Sequence, residues 1–190
     1  KDIQVISPMK KTPAGVINLN TELQKALNPP EEGKRERVFL SRILREGDKV
    51  MQVKNNYDIQ WERVDSKEEG VGVYNGDIGY ISEVKTTSVT VIFDDDRRVE
   101  YPNAMLEELD LAYAVTVHKS QGSEFPAVVM PVFHGAPMLM NRNLIYTAIT
   151  RARDFVTLVG QKSAAEKMVD NDFEAKRYSS LKRWLTEEAF

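Results

Sequence analysis

The chain has 190 residues, 42% of them hydrophobic and 29% charged, which suits one globular domain carrying a small insert. Against 26 Lys and Arg stand 29 Asp and Glu, a formal charge of −3 that excludes the broad basic surface of a nucleic-acid-coating domain, so any such contact must be local. The absence of cysteine excludes disulfide frameworks, thiolate metal sites and Cys nucleophiles, and fits a reducing, cytoplasmic compartment.

In chain order, Ile3 to Ile6 alternate apolar and polar before Ser7-Pro8, a short strand stopped by proline. Residues 15–28 place Val16, Leu19, Leu23 and Leu27 at helical spacing and end at Asn28-Pro29-Pro30, which predicts an amphipathic helix. A charged, glycine-containing connector covers 31–37, and 48–53 is strand-like. From Val71 to Tyr101 apolar residues recur at period two, with Asn75-Gly76 and Asp94 to Arg97 as turn signals, which predicts a small antiparallel barrel. Beyond Leu109 the pattern returns to alternating strands and helices: strands at 111–117, 127–132 and 155–160, helices at 143–153, 163–169 and 176–185. The fold class expected is therefore α/β, a parallel sheet covered on both faces and interrupted by the barrel. The longest apolar run, about seven residues from Ala127 to Phe133, is far short of the roughly 18 that span a bilayer, so no membrane partner is expected.

Two stretches carry candidate chemistry. In the helix over 143–153, Leu144, Ile145, Ala148, Ile149 and Ala152 form one face, while Thr147 and Arg151 sit four apart on another. An arginine near the end of such a helix can aim a fixed fork at phosphate oxygens; an isolated arginine can equally be a surface ion pair. Residues 116–125, Thr-Val-His-Lys-Ser-Gln-Gly-Ser-Glu-Phe, gather hydroxyls, an imidazole, a lysine, an amide and a carboxylate around Gly122. Such a segment can present backbone N–H groups to phosphates, with Glu124 accepting from a ribose hydroxyl; a polar loop capping a sheet is the alternative. His118 and His134 are the only histidines, too few with no cysteine for a zinc site, and no metal is assigned. Asp94-Asp95-Asp96, followed by Arg97-Arg98, reads as a charge-balanced turn and not as a calcium loop. Lys10 follows a strand, where it can touch a DNA phosphate, and the basic amphipathic tail 176–185 is expected to pack on the domain.

Residues 112–125 and 143–153 together strongly resemble motifs V and VI of superfamily-one DNA helicases in the RecD-like branch, and residues 4–11, 19–29, 47–57 and 74–79 resemble the same branch in the same order. The resemblance implies the second RecA-like motor domain of such a helicase, over 1–34 and 109–190, with an SH3-like barrel inserted at 35–108. It further implies that Arg151 reaches the γ-phosphate of ATP, that Gln121, Gly122 and Glu124 lie at the nucleotide, and that Thr116, His118, Ser120 and Lys10 lie near single-stranded DNA. Thr116 and Ser120 are the better candidates among these, and 5′-to-3′ movement is the polarity usual for the branch. Neither a Gly-x-x-x-x-Gly-Lys-Ser/Thr loop nor an acidic pair for Mg2+ occurs, so the chain is expected to hold half of a composite ATP site. The other half, with most of the ATP and Mg2+ contacts, is expected on an N-terminal RecA-like domain of the same parent chain, and a start at Lys1-Asp2-Ile3 reads as an excised piece. Recombination or repair proteins are the further partners implied. The helicase part of a conjugative relaxase, or a non-catalytic nucleic-acid-binding adaptor that kept the fold, are the alternatives.

Overall fold

A computed structural model describes residues 2–172. The predicted tail helix at 176–185 lies outside the described residues.

Four strands form an all-parallel sheet in the order β11-β1-β12-β13: β1 (Ile3–Ser7), β11 (Ala114–Thr116), β12 (Phe125–Val132) and β13 (Ala152–Gly160). On one face, Ile6, Val128, Met130 and Val132 pack with Leu144, Ile145 and Ala148 of α2 (Arg142–Ile149) and Ala164 and Met168 of α3 (Lys162–Asp170). The spacing of these residues in α2 and α3 is that of a single helical face, so each helix buries one stripe on the sheet. Gly160 permits the turn from β13 into α3: its φ is +148°, and a Cβ there would sit 2.0 Å from the Val132 carbonyl oxygen.

α1 (Val16–Leu27) lies by β11 near the opposite face, and here the expected apolar stripe is corrected. Its buried residues are Asn20 and Gln24, while Leu27 is 67% exposed. The chain leaving the barrel explains this. Asn20 donates to the carbonyls of Leu111 and Ala114 and accepts from the Ala114 N–H, backbone groups that a leucine would leave unpaired. Ile3, Phe155 and Val159 remain exposed on this face.

The remainder is a seven-stranded antiparallel sheet in the order β10-β4-β7-β8-β9-β5-β6, built from β4 (Lys49–Gln52), β5 (Asn56–Arg63), β6 (Glu69–Val73), β7 (Ile78–Val84), β8 (Ser88–Phe93), β9 (Arg97–Pro102) and β10 (Leu109–Leu111). Val73, Val89, Val91 and Phe93 enclose its own core with Val50, Ile81, Val99 and Tyr101. Ile78, which falls in the same period-two stretch of sequence, packs instead against the core of the parallel sheet. The predicted strand at 111–117 is in fact two, β10 in the antiparallel sheet and β11 in the parallel one. A separate hairpin, β2 (Glu36–Phe39) and β3 (Arg42–Arg45), occupies part of what the sequence reading left as a connector.

The two sheets meet at a buried carboxylate. Asp48 is 0% exposed and accepts from the Gln24 amide (2.6 Å), the Asn28 amide (2.7 Å), the Arg45 backbone N–H (2.7 Å) and the Tyr113 hydroxyl (2.9 Å). Nearby, Lys49 donates to the buried Gln4 side chain at 2.9 Å, and Gln4 donates to the carbonyls of Ala112 and Tyr113. Each polar group removed from water here has a partner, as a buried network must.

Candidate functional site

The chemistry-bearing residues fall at two ends of the parallel sheet. Thr116 pairs with Ser7 and Ala127 with Ile3, so the loop from Thr116 to Phe125 starts level with one end of β1 and finishes level with the other, about 13 Å away. Thr116, His118 and Lys10 belong to the carboxyl ends of β1 and β11, the side on which open parallel sheets bind ligands. Glu124 and Arg151 stand at the amino ends of β12 and β13.

At the first end, Ser7 organises the turn that carries Lys10: its hydroxyl donates to the Ala14 carbonyl and accepts from the Met9 N–H. The turn returns so closely that a Cβ on Gly15 would lie 2.7 Å from the Lys10 carbonyl carbon. Lys10 is exposed, as is His118, while Thr116 is half-buried and accepts from the Lys119 N–H through Oγ1 (3.2 Å). Ser120 differs from the expectation. It is 0% exposed and its hydroxyl donates to the Val117 carbonyl at 2.8 Å, so it braces the loop from inside. Lys119, which sequence reasoning passed over, is half-buried 3.9 Å from Asp110, and Asp110 also accepts from Arg42 at 3.0 Å.

At the second end, Asn141 caps α2 by accepting from the Leu144 N–H, and the helix stops at Ile149. The predicted helix through Arg153 is therefore shorter: Arg151 lies in the link to β13, where Phe125 N–H donates to its carbonyl. Its side chain donates through Nε to the Thr147 carbonyl and through Nη1 to the Ser123 carbonyl, each at 3.3 Å. The guanidinium thus rests on the loop between Gly122 and Glu124. Gln121, Gly122 and Glu124 are exposed, and Gly122 has φ +86° with open space where a Cβ would stand, so the turn, not crowding, requires glycine. Glu124 lines an open cavity of about 550 Å³ together with Arg153 and the barrel residues Gly76, Asp94 and Arg97. Neither Arg153 nor the barrel turns carry a periodicity or motif that points here; their proximity exists only in three dimensions. Among the described residues no three His, Asp or Glu side chains are grouped to hold a metal ion.

An exposed glycine turn and a carboxylate in one loop, with an arginine fork resting on it from the α2–β13 link, have the chemistry to suit a nucleotide: N–H groups and guanidinium for phosphate, carboxylate for a sugar hydroxyl. A model of the ATP-dependent RecD-like DNA helicase SH3 domain matches residues 19–94, and one of the UvrD-like helicase C-terminal domain matches residues 111–159. The ATP-dependent RecD2 DNA helicase of Deinococcus radiodurans is 38% identical over 182 residues, covering 95% of this chain and 23% of that protein. The RecBCD enzyme subunit RecD of Mycobacterium tuberculosis is 31% identical over 106 residues, covering 56% of this chain and 18% of that protein. The chain thus spans under a quarter of the length of these curated relatives. In fold it resembles a Bacteroides Pif1 helicase solved in complex with ADP-AlF3 and single-stranded DNA, at TM-score 0.54 and 20% identity over 97% of this chain and 46% of that one. With both family models and the RecD2 relative in agreement, the chain belongs to the RecD-like DNA helicases, of which it carries regions that match the SH3 domain and the helicase C-terminal domain.

Proposed function

We propose that the chain is the second RecA-like motor domain, residues 1–34 and 109–190, of an ATP-dependent 5′-to-3′ DNA helicase working in the cytoplasm, with residues 35–108 as its inserted barrel. The observation that carries this reading is the single loop from Thr116 to Glu124, which starts beside Lys10 and ends beneath the Arg151 guanidinium.

In this reading ATP sits in a cleft shared with an N-terminal RecA-like domain, which supplies the phosphate loop and the Mg2+ ligands. Arg151 leaves the carbonyls of Ser123 and Thr147 and donates to the γ-phosphate as charge spreads over the transferring group. Such an arginine is worth about 10³ to 10⁵ in rate. Gly122 and Gln121 flank the phosphates, and Glu124 accepts from the sugar. Thr116, His118 and Lys10 contact the single strand, with Ser120 positioning them from within; recombination and repair proteins are further partners.

The test is ATP hydrolysis by this chain alone, with and without single-stranded DNA. The expected rate is that of buffer, because no phosphate loop is present. DNA-stimulated turnover that Arg151→Ala abolishes in this chain would overturn the shared-site reading.

A further inference from the structure

Three amides recur at four-residue spacing along α1 and its C-cap, Asn20, Gln24 and Asn28, each only 6% exposed. That spacing puts them on one helical face. They divide their work. Gln24 and Asn28 hold the chain where it enters the barrel, through the carbonyls of Ile43 and Glu46 and the Asp48 carboxylate. Asn20 holds the chain where it leaves: it donates to the carbonyls of Leu111 (3.1 Å) and Ala114 (2.9 Å) and accepts from the Ala114 N–H (2.8 Å). Both amide hydrogens and the side-chain oxygen are committed to this one stretch of backbone.

The strand that starts there is β11, whose first residue is Ala114 and whose last is Thr116. It lies at the edge of the parallel sheet and pairs with β1 over three residues, Thr116 opposite Ser7. A strand so short, paired on one side, has little ladder of its own to fix it, so the clamp at Ala114 sets where Thr116 stands, about 7 Å further on. The same helix holds the other flank of this end. In its first turn the N–H groups of Val16 and Ile17 donate to the carbonyls of Met9 and Lys10, at 3.0 and 3.2 Å, and Asn20 follows about one turn later. One helix thus spaces the Lys10 turn from the Thr116 strand.

We propose that Asn20 is a positioning residue for the candidate DNA end of the site. In this role it makes no contact with DNA or nucleotide; it acts through Ala114 on Thr116, keeping the Thr116 hydroxyl level with Ser7 and at a set distance from Lys10. This rests on the reading of Thr116 and Lys10 as contacts to the single strand. A leucine at position 20 has nearly the shape of asparagine but leaves two carbonyls and one N–H without partners. Those groups must then find water, and the start of β11 moves with them.

The experiment measures single-strand affinity, by fluorescence anisotropy of a labelled oligothymidylate, beside ATP turnover in a longer helicase that contains this chain. Asn20→Leu is expected to bind as weakly as Thr116→Ala, about tenfold below wild type, with basal turnover and the KM for ATP unchanged. The pair of Asn20→Leu with Thr116→Ala is expected to bind within about twofold of Thr116→Ala alone, because residues that act through one contact do not add. Asn20→Asp, which keeps the acceptor for the Ala114 N–H and loses both donors, is expected to fall between wild type and Asn20→Leu. Gln24→Leu, equally buried on the same stripe but bonded at the barrel entry, is expected to bind within about twofold of wild type. Losses that multiply in the pair, or a loss in Gln24→Leu equal to that in Asn20→Leu, would assign Asn20 to general stability and overturn the proposal. If Thr116→Ala weakens binding while both Asn20 variants bind as wild type, the proposal is overturned and the Thr116 reading stands. If Thr116→Ala binds as wild type, the DNA reading itself fails, and this proposal with it. Should Asn20→Leu not fold, Asn20→Asp carries the same comparisons, and failure of both to fold assigns Asn20 to stability alone and also overturns the proposal.

Discussion

Asp48, at the joint between the two sheets, is fully buried and receives four hydrogen bonds, whereas Gln121, Gly122 and Glu124, in the loop beside Arg151, are exposed. The joint commits amide, hydroxyl and backbone donors to one carboxylate and so ties the barrel to α1 and to the link between β10 and β11. The loop leaves these polar groups exposed and holds Arg151 by two carbonyls at 3.3 Å, longer than most charge-assisted hydrogen bonds. In the proposed reading those contacts exchange for phosphate oxygens, and the joint carries the loop as part of one body.

Removing the joint's charge is the largest stability effect expected. Asp48→Ala strands two buried amides and a hydroxyl at once, and a loss of about 3–5 kcal/mol in urea unfolding is expected, as for other broken buried networks. A loss below about 1 kcal/mol would mean that the joint tolerates water and is not rigid. In the loop, Gly122→Ala meets no neighbour but takes on a positive φ, so a cost of about 1 kcal/mol is expected by the same measurement. A cost equal to that of Asp48→Ala would erase the contrast between the two regions.

Tyr113 sharpens the comparison through pH. Burial raises its hydroxyl pKa, and the Asp48 charge and hydrogen bond raise it further. An unfolded tyrosine ionises near 10 while the folded one stays protonated, so this contribution to stability is complete below pH 10 and fades as pH rises from there toward the folded value. Tyr113→Phe is expected to cost about 1 kcal/mol at neutral pH and to flatten the alkaline loss. An unchanged alkaline slope would assign that loss to Tyr101, which is also raised by burial. The smallest effect belongs to the exposed pair of Lys25 and Glu22 on α1. Lys25→Ala is expected to change stability by less than about 0.5 kcal/mol in the same urea series.

β12 and β13 were legible as apolar runs, β1 as a short alternation stopped by proline, and the barrel because Val89, Val91 and Phe93 recur at period two. β5 and the β2–β3 hairpin were not read: the alternation of Tyr57, Ile59 and Trp61 buries only Ile59 fully, and the hairpin shows Val38, Leu40 and Ile43 to solvent while Leu44 alone of its aliphatic residues is fully buried. α1 was read as a helix with the wrong face buried, since Asn20 and Gln24 serve backbone carbonyls 19 to 94 residues away that no local pattern records. At the site, Arg151 and Glu124 were found by motif. Their meeting through the Ser123 carbonyl, and the inward turn of Ser120, depend on the path of one loop across the sheet.

The central claim is that Arg151 serves the nucleotide while Thr116 serves the DNA. The direct measurement is ATP turnover and single-strand affinity, in parallel and at fixed salt, for Arg151→Ala, Arg151→Lys and Thr116→Ala in a longer helicase that contains this chain. Arg151→Ala is predicted to lose about 10³-fold or more in DNA-stimulated turnover with DNA affinity retained, and Arg151→Lys to rescue poorly because an ammonium lacks the planar fork. Thr116→Ala is predicted to weaken DNA binding while basal turnover persists. Near-normal turnover in Arg151→Ala would contradict the account, because the guanidinium resting on Ser123 would then have no part in the reaction.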